Sequence, residues 1–426
     1  VGFSLRLSGN GLLLLGLLLV ANHAHADRDE FADDRLPPHF ILQAEHLTLT
    51  IKGEFELEYH DIEGSGGPGH DSPTDTLTLG TRSPFLEMDS FHLALRLGFT
   101  ENIHVNSLLE FTTQHAQLAA IWAQFTAKAP DWLEHRVEAG YGLPIVAMDR
   151  RTERHPLLST SFWREPEMHL AWEGRLLPEG PVTIEVGASL AMMRPLTLQG
   201  VQDSGNHPGT INVLASGPAR TFSGNGPVGG GRLRVSAFGF FLDGFGFVGE
   251  LSNEGGVDVL RSAFSRYRNL PGYDPETGGS RAFRWAGGRV GYLRHGIRVW
   301  MEAVFSQEGL LHRRGWNAQA SLAFRLGPET LFHTLEPLIR WERSALEQSA
   351  EILENGQALR SPALIDAVAW DWEIWTFAGI LDVYREFVKL RVEYALIQED
   401  NGVPALGIPS ENFRNNELMV QLELRF

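Results

Sequence analysis

Apolar and polar residues alternate one by one through most of this chain, in runs of about ten residues, as they do in strands with one wet face and one dry face. Residues 417–426 set Leu418, Val420, Leu422, Leu424 and Phe426 on one face, and Met419, Gln421, Glu423 and Arg425 on the other. Residues 47–59 set Leu49, Ile51, Phe55, Leu57 and Tyr59 against Lys52, Glu54, Glu56 and Glu58. Phe91, Leu93, Leu95, Leu97 and Phe99 form a third apolar face, aromatic at both ends. The same pattern predicts strands near 47–59, 90–99, 103–111, 117–128, 134–141, 167–174, 182–190, 231–238, 245–251, 284–293, 297–305, 316–325, 335–342, 370–378, 387–396 and 417–426, sixteen in all.

The connections between these runs alternate in length. Those after the even-numbered strands are short, and those after the odd-numbered strands are mostly longer, the longest near 191–230 and 252–283. An even number of strands with short turns at one end and long loops at the other predicts an all-β fold, a transmembrane antiparallel β-barrel of about sixteen strands with periplasmic turns and extracellular loops. A soluble sandwich does not require that parity, and no propeller-blade repeat is present. Aromatics recur near strand ends on the apolar side, at Tyr141, Trp172, Phe305, Trp316, Phe324, Trp341 and Tyr394, as interfacial girdles require.

Composition narrows the picture. No stretch in the body supplies the ~20 apolar residues of a spanning helix, so a membrane protein of this sequence crosses by strands. The 426 residues contain no Cys and carry a formal charge of -17, which argues against thiolate metal sites and against non-specific nucleic-acid binding. At the amino end, Arg6, an apolar run over residues 11–20 and the small-x-small triplet Ala24-His25-Ala26 read as a secretory signal peptide over 1–26. Residues 27–46, polar and containing Pro37-Pro38, read as a flexible periplasmic leader, and 47–426 as the barrel.

A lumen enclosed by sixteen strands is too wide for side chains to fill and holds water, so the polar faces become its lining. The expected lining includes Glu54, Glu56, Glu167 and Glu173, the arginines Arg232, Arg234, Arg289, Arg298 and Arg325, and Asp371 with Glu373. The basic residues concentrate on the eighth to twelfth strands and the acidic ones on the first, sixth and seventh. Two arrangements fit: a transverse field across the lumen, or local pairing between adjacent strands.

The segment at about 142–166, joining the fifth and sixth strands, differs from the Gly- and Asp-rich loops. It has apolar residues at both ends and a charged centre of Asp149, Arg150, Arg151, Glu153, Arg154 and His155. Folding into the barrel mouth would bury the ends and place the charges at the narrowest point. At these residues the chain resembles the bacterial outer-membrane porins, whose constriction loop joins strands five and six. Gly140 and Pro144 with the acidic and Pro residues that follow resemble the phosphate-selective porin O and P family. The resemblance implies a passive channel and a homotrimer. Terminal Phe426 resembles the insertion signal read by the barrel-assembly machinery. The partners expected are outer-membrane lipid and small hydrophilic solutes, with no nucleic acid.

Other chemistry is weaker. Gly224-Asn-Gly-Pro-Val-Gly229 matches G-x-G-x-x-G but precedes a strand and contains Pro227, so it reads as a loop. There is no G-x-S-x-G elbow and no haem motif. The expectation is therefore a bacterial outer-membrane channel, with no enzyme activity, cofactor, catalytic residue or metal ligand. The rival readings are a barrel sheath around an electron-transfer or secretion partner, and an outer-membrane enzyme.

Overall fold

A strand that is apolar on one face and polar on the other finds both solvents only when its sheet separates lipid from water, and an open edge in lipid leaves amides unpaired. Closure follows. The computed structural model describes residues 40–44, 47–62, 84–112, 116–142, 145–146, 151–152, 158, 167–178, 180–192, 196–200, 212–216, 226–264, 266–327, 331–347, 356–362, 368–384, 387–411 and 416–426. The signal peptide expected over 1–26 lies outside them.

Strand β1 (Phe40–Ala44) leads into β2 (Leu47–Ile62), then β3 (Phe85–Gly98), β4 (Ile103–Phe111), β5 (Ala116–Lys128), β6 (Leu133–Gly142), β7 (Glu167–Leu176) and β8 (Val182–Met192). A separate hairpin of β9 (Leu196–Gly200) and β10 (Asn212–Ser216) follows. Next come β11 (Pro227–Ala237), β12 (Phe240–Glu250), β13 (Ala282–Arg294), β14 (Ile297–Glu308) and β15 (Leu311–Leu322), the last continued by β16 (Phe324–Arg325). The chain ends with β17 (Phe332–Leu346), β18 (Asp371–Val383), β19 (Val388–Asp400) and β20 (Glu417–Arg425). Leaving aside β1, β9, β10 and β16, sixteen long strands pair antiparallel with their neighbours, and β20 pairs with β2 to close the barrel.

All sixteen expected strands are present, most of them longer than the pattern indicated. Of the expected leader, Phe40–Ala44 is not free chain: it pairs with residues 47–51 of β2. The reason is the ring's geometry. Strand β20 ends opposite Gly53, which leaves the start of β2 with an unpaired edge that β1 covers. The connection after β14 is also shorter than expected, only Gly309 and Leu310, because β14 and β15 run three to five residues further toward it.

The short-turn end carries the aromatic girdle. Phe99, Phe125, Trp132, Phe238, Phe240, Phe324, Phe332, Tyr384 and Phe426 are all exposed there. Two of these turns, Phe238-Gly239 and His295-Gly296, have positive φ at both residues, as a two-residue hairpin of the barrel's twist demands. The seven aromatics expected at the girdles all lie on outward strand faces, with Tyr394 nearer mid-strand.

Two face assignments are reversed. Glu250, whose strand face was expected to line the lumen, lies on the outward phase with Val248, because Phe245 and Phe247 point inward. On β18, Trp372, Ile374 and Thr376 point inward and are buried, so Asp371 and Glu373 point outward. The Arg340–Thr376 hydrogen bond at 3.3 Å fixes that phase from inside. Glu373 instead accepts from the indole N–H groups of Trp341 (3.0 Å) and Trp375 (3.2 Å) on the outer surface.

Candidate functional site

The inward side chains divide into two regions. On β8 and β11–β17, most inward charges are buried, Glu185 and Arg298 are half-buried, and these are held by neighbours. Arg232 contacts Glu185 at 3.1 Å and Asp243 at 3.5 Å. Arg289 contacts Asp243 at 2.6 Å and Glu302 at 3.5 Å. Arg298 contacts Glu336 at 2.7 Å, and Arg340 contacts Glu342 at 3.4 Å. Arg234 is buried and lies 4.5 Å from the Phe241 ring centre. Of the two charge arrangements compatible with the sequence, local pairing is the one present: between adjacent strands at Arg232 and Arg289, and across the intervening β15 at Arg298. Their charge is offset at close range, which leaves little for a field across the lumen.

The connection between β6 and β7 reaches this wall. Ile145 and Val146 are fully buried. The carbonyl of Ile145 accepts from Arg232 at 3.0 Å, and that of Val146 from Arg289 at 3.3 Å. Further along, Arg151 lies 3.4 Å from Glu336, and Thr152 hydrogen-bonds Arg340. Leu158 packs over Gly315, where any side chain would collide with it, and Ile145 packs over Gly187. Five described residues of the segment therefore follow the inner wall from β8 round to β17. Asp149, Arg150, Glu153 and Arg154 lie outside the described residues.

These contacts are part of an apolar core inside the barrel mouth, which the alternation did not reveal. The inward face of β12–β14 carries Phe245, Phe247, Phe283, Trp285 and Val304, all buried. They pack on Ile145, Val146 and Leu158, and on Leu260, Phe264 and Tyr267 from the connection between β12 and β13. That connection holds the short helix α1 (Asp258–Ala263). Burial pushes the Tyr267 hydroxyl pKa up, and its oxygen accepts from the Leu310 amide at 3.3 Å. Across the rim, Arg266 hydrogen-bonds the Ala358 carbonyl, and Arg360 holds Asp371 and Asp400, each at 3.2 Å. The available signal was aromatics on both faces of residues 240–248, where a purely water-lined strand would have them on one.

On β2–β6 many inward side chains remain half-exposed, among them Lys52, Glu54, His92, Arg96, Glu110, Gln124, Glu134 and Arg136, although Glu58, His60, Asn106, Leu108, Trp122 and Glu138 are buried. Glu56 is buried and accepts from Ser90 at 3.0 Å. Glu54, Glu56 and His92 bring one ligand atom each within 4.8 Å of one another. Glu54 is also held by Arg425 at 3.0 Å, so these groups already have protein partners. Glu173 is buried on the inward face of β7, Glu167 begins that strand opposite Gly142, and Arg325 is exposed at the short-turn rim.

At the seam, Phe426 exchanges backbone hydrogen bonds with Gly53, at 2.8 and 2.9 Å. Its ring lies over the bare Gly53 backbone and stacks on Phe91, 6.0 Å between centres. Inside the same seam, His60 bridges Glu417 and Glu58, both at 2.9 Å, and Gln421 donates to Glu58 at 2.6 Å.

A closed sixteen-stranded barrel with an apolar outer face and a β6–β7 connection turned inward defines the outer-membrane porin fold. Comparison with solved structures agrees. The chain is similar to Salmonella typhi OmpF, in complex with daunomycin, at TM-score 0.54 and 10% identity over 91% of this chain and 100% of that one. The outer membrane channel DcaP of Acinetobacter baumannii gives TM-score 0.54 and 10% identity over 90% of this chain and 99% of that one. OmpT, an outer-membrane protein of Vibrio cholerae, gives 0.50 and 7% over 91% and 100%. No family model matches the sequence, and no curated protein matches it.

Proposed function

We propose that this chain is a bacterial outer-membrane porin, a passive diffusion channel for small hydrophilic or charged solutes, with the segment at about 142–166 as its constriction. The observation that carries the reading is the anchoring of Ile145, Val146, Arg151 and Thr152 on the inner wall of a closed barrel. A connection so held narrows the lumen from one side. The water path then runs along β2–β6, where the half-exposed inward residues lie. Selection is by size at the constriction and by the mixed charges of that wall. Arg232, Arg234, Arg289 and Arg298 hold the constriction in place, and Glu54 with Arg151 belongs to its lining. The likeness to the phosphate-selective O and P porins rests on the stretch around Gly140 and Pro144 alone. The wall here mixes both signs, which favours a general channel.

A sheath around a partner protein fits less well, because the chain's own loops already occupy part of the mouth. Homotrimer formation and recognition of Phe426 by the assembly machinery are part of the same proposal. The test is single-channel recording of refolded protein in a planar bilayer. Stepwise conductance is expected, and deletion of residues 145–158 is expected to raise it. Absence of any conductance overturns the channel reading; equal conductance in the deletion overturns the constriction.

A further inference from the structure

The outer surface of β13–β17 carries a group of cations that the lumen does not use. Strand phase places Arg284, Arg314 and Arg343 outward, and all three are exposed. They sit toward the long-loop ends of their strands. Arg314 and Arg343 are diagonal neighbours on adjacent strands, since Arg314 faces Ala345 and Trp316 faces Arg343. Arg284 reaches the same patch through Gln307, which faces it on β14 and faces His312 on β15.

Their bonding differs from that of the inner arginines. Arg232, Arg289, Arg298 and Arg313 each hold a carboxylate. Among the described residues, Arg284 and Arg343 have neither an ion pair nor a hydrogen bond, and Arg314 has only the Trp316 ring, 5.2 Å from its guanidinium carbon. Glu373 faces Arg343 directly across the β17–β18 pair but makes no ion pair with it, and one Glu373 oxygen is taken by two indoles; Glu250 lies diagonal to Arg284 and likewise makes no ion pair with it. Trp316, Trp341 and Trp375 lie just below on the same surface, where a belt of indoles marks the boundary between acyl chains and headgroups. β14 and β15 are joined here by Gly309 and Leu310 alone, so headgroups can reach the ends of those two strands directly.

Guanidinium groups just beyond an indole belt, with no ion pair among the described residues and on a chain of net charge -17, suit an anionic partner at headgroup depth. We propose that Arg284, Arg314 and Arg343 form a binding surface for the phosphates of a phosphorylated glycolipid in the outer leaflet. Arginine forks bind phosphate bidentately, and the indoles below pack the first acyl carbons. The inference rests on the outer-membrane placement proposed above, with the long loops facing outward.

The experiment uses the full chain refolded in neutral detergent, titrated with bis-phosphorylated lipid A and followed by native mass spectrometry. Wild type is expected to retain lipid A. The triple variant R284S/R314S/R343S is expected to bind about a hundredfold more weakly, at about fivefold per arginine. Lipid A stripped of its phosphates is expected to be lost by both proteins. Heat-dependent gel mobility checks that the variant has folded; if it has not, the exposed single variants R284S and R343S are each expected to weaken binding about fivefold. Equal retention by folded variant and wild type overturns the proposal, as does preference for phosphatidylglycerol over lipid A. Conductance is read in parallel and is expected to be unchanged. A conducting barrel indifferent to lipid A sinks this inference alone, and a silent barrel that binds it sinks the channel alone.

Discussion

Two residues show how much a single position decides. Gly53 is the gap into which Phe426 lays its ring, and a Cβ there would collide with it. Replacing Gly53 with Leu is expected to prevent the last strand from seating on the first, seen as loss of the compact, heat-modifiable band in gels. Phe426→Ala keeps the backbone pairing but loses the Phe91 stack, and a smaller loss of folded yield is expected. Arg289 is the second case. Its guanidinium joins Asp243, Glu302 and the Val146 carbonyl inside the wall. Arg289→Ala leaves two buried carboxylates facing each other, at a cost of about 3–5 kcal/mol. Urea unfolding in micelles is expected to report that loss, and a smaller one for Arg298→Ala, whose side chain is more exposed.

At the scale of elements, the turns and the inward segment carry the consequences. Gly309 has φ of 63°, and a Cβ there would come within 2.7 Å of the Tyr267 hydroxyl and 2.9 Å of Leu260. Gly309→Ala is strained twice over, by backbone and by space, and a destabilisation of about 1–2 kcal/mol is expected from the same unfolding assay. The inward segment depends on Ile145, which fills the space above Gly187. Ile145→Asp would bury an unpaired carboxylate, so the segment is expected to leave the wall. Noisier and larger single-channel currents would report it; unchanged currents would mean that the anchor lies elsewhere. The alternation made the strands legible because each one must satisfy lipid and water at once. The lengths of β14 and β15 were less legible, because residues 306–315 sit above the membrane belt and are released from that alternation. The inward phase of β18 was hidden for a related reason: Trp372 and Ile374 face other protein, so apolar no longer means outward.

For the whole molecule, the charge distribution sets the electrical expectation. Arg232, Arg289 and Arg298 are paired locally, so neutralising Arg232, Arg234 and Arg298 together is expected to shift the reversal potential in a salt gradient only slightly, and to lower stability more. Neutralising the half-exposed Glu54 and Glu110 on the open side is expected to shift it toward anions. A large shift from the arginine set would restore the transverse field.

The sequence by itself determined the strand count, the parity of the connections, which faces meet lipid over the membrane belt, and the segment that turns inward. Those follow from local rules, since a strand's faces and a turn's length are written in neighbouring residues. Only the tertiary structure decided the cover of β1 over the β2 edge, the pairing of the wall arginines, the apolar core within the mouth and the cations left on the outer face. The β1 cover is a local hairpin whose place is set by where the last strand ends, and the core within the mouth depends on residues distant in sequence meeting inside the ring, as Arg340 meets Thr152 and Phe426 meets Gly53 at the seam. Alternation records which solvent a face meets, and a face that meets another part of the same chain leaves no period behind.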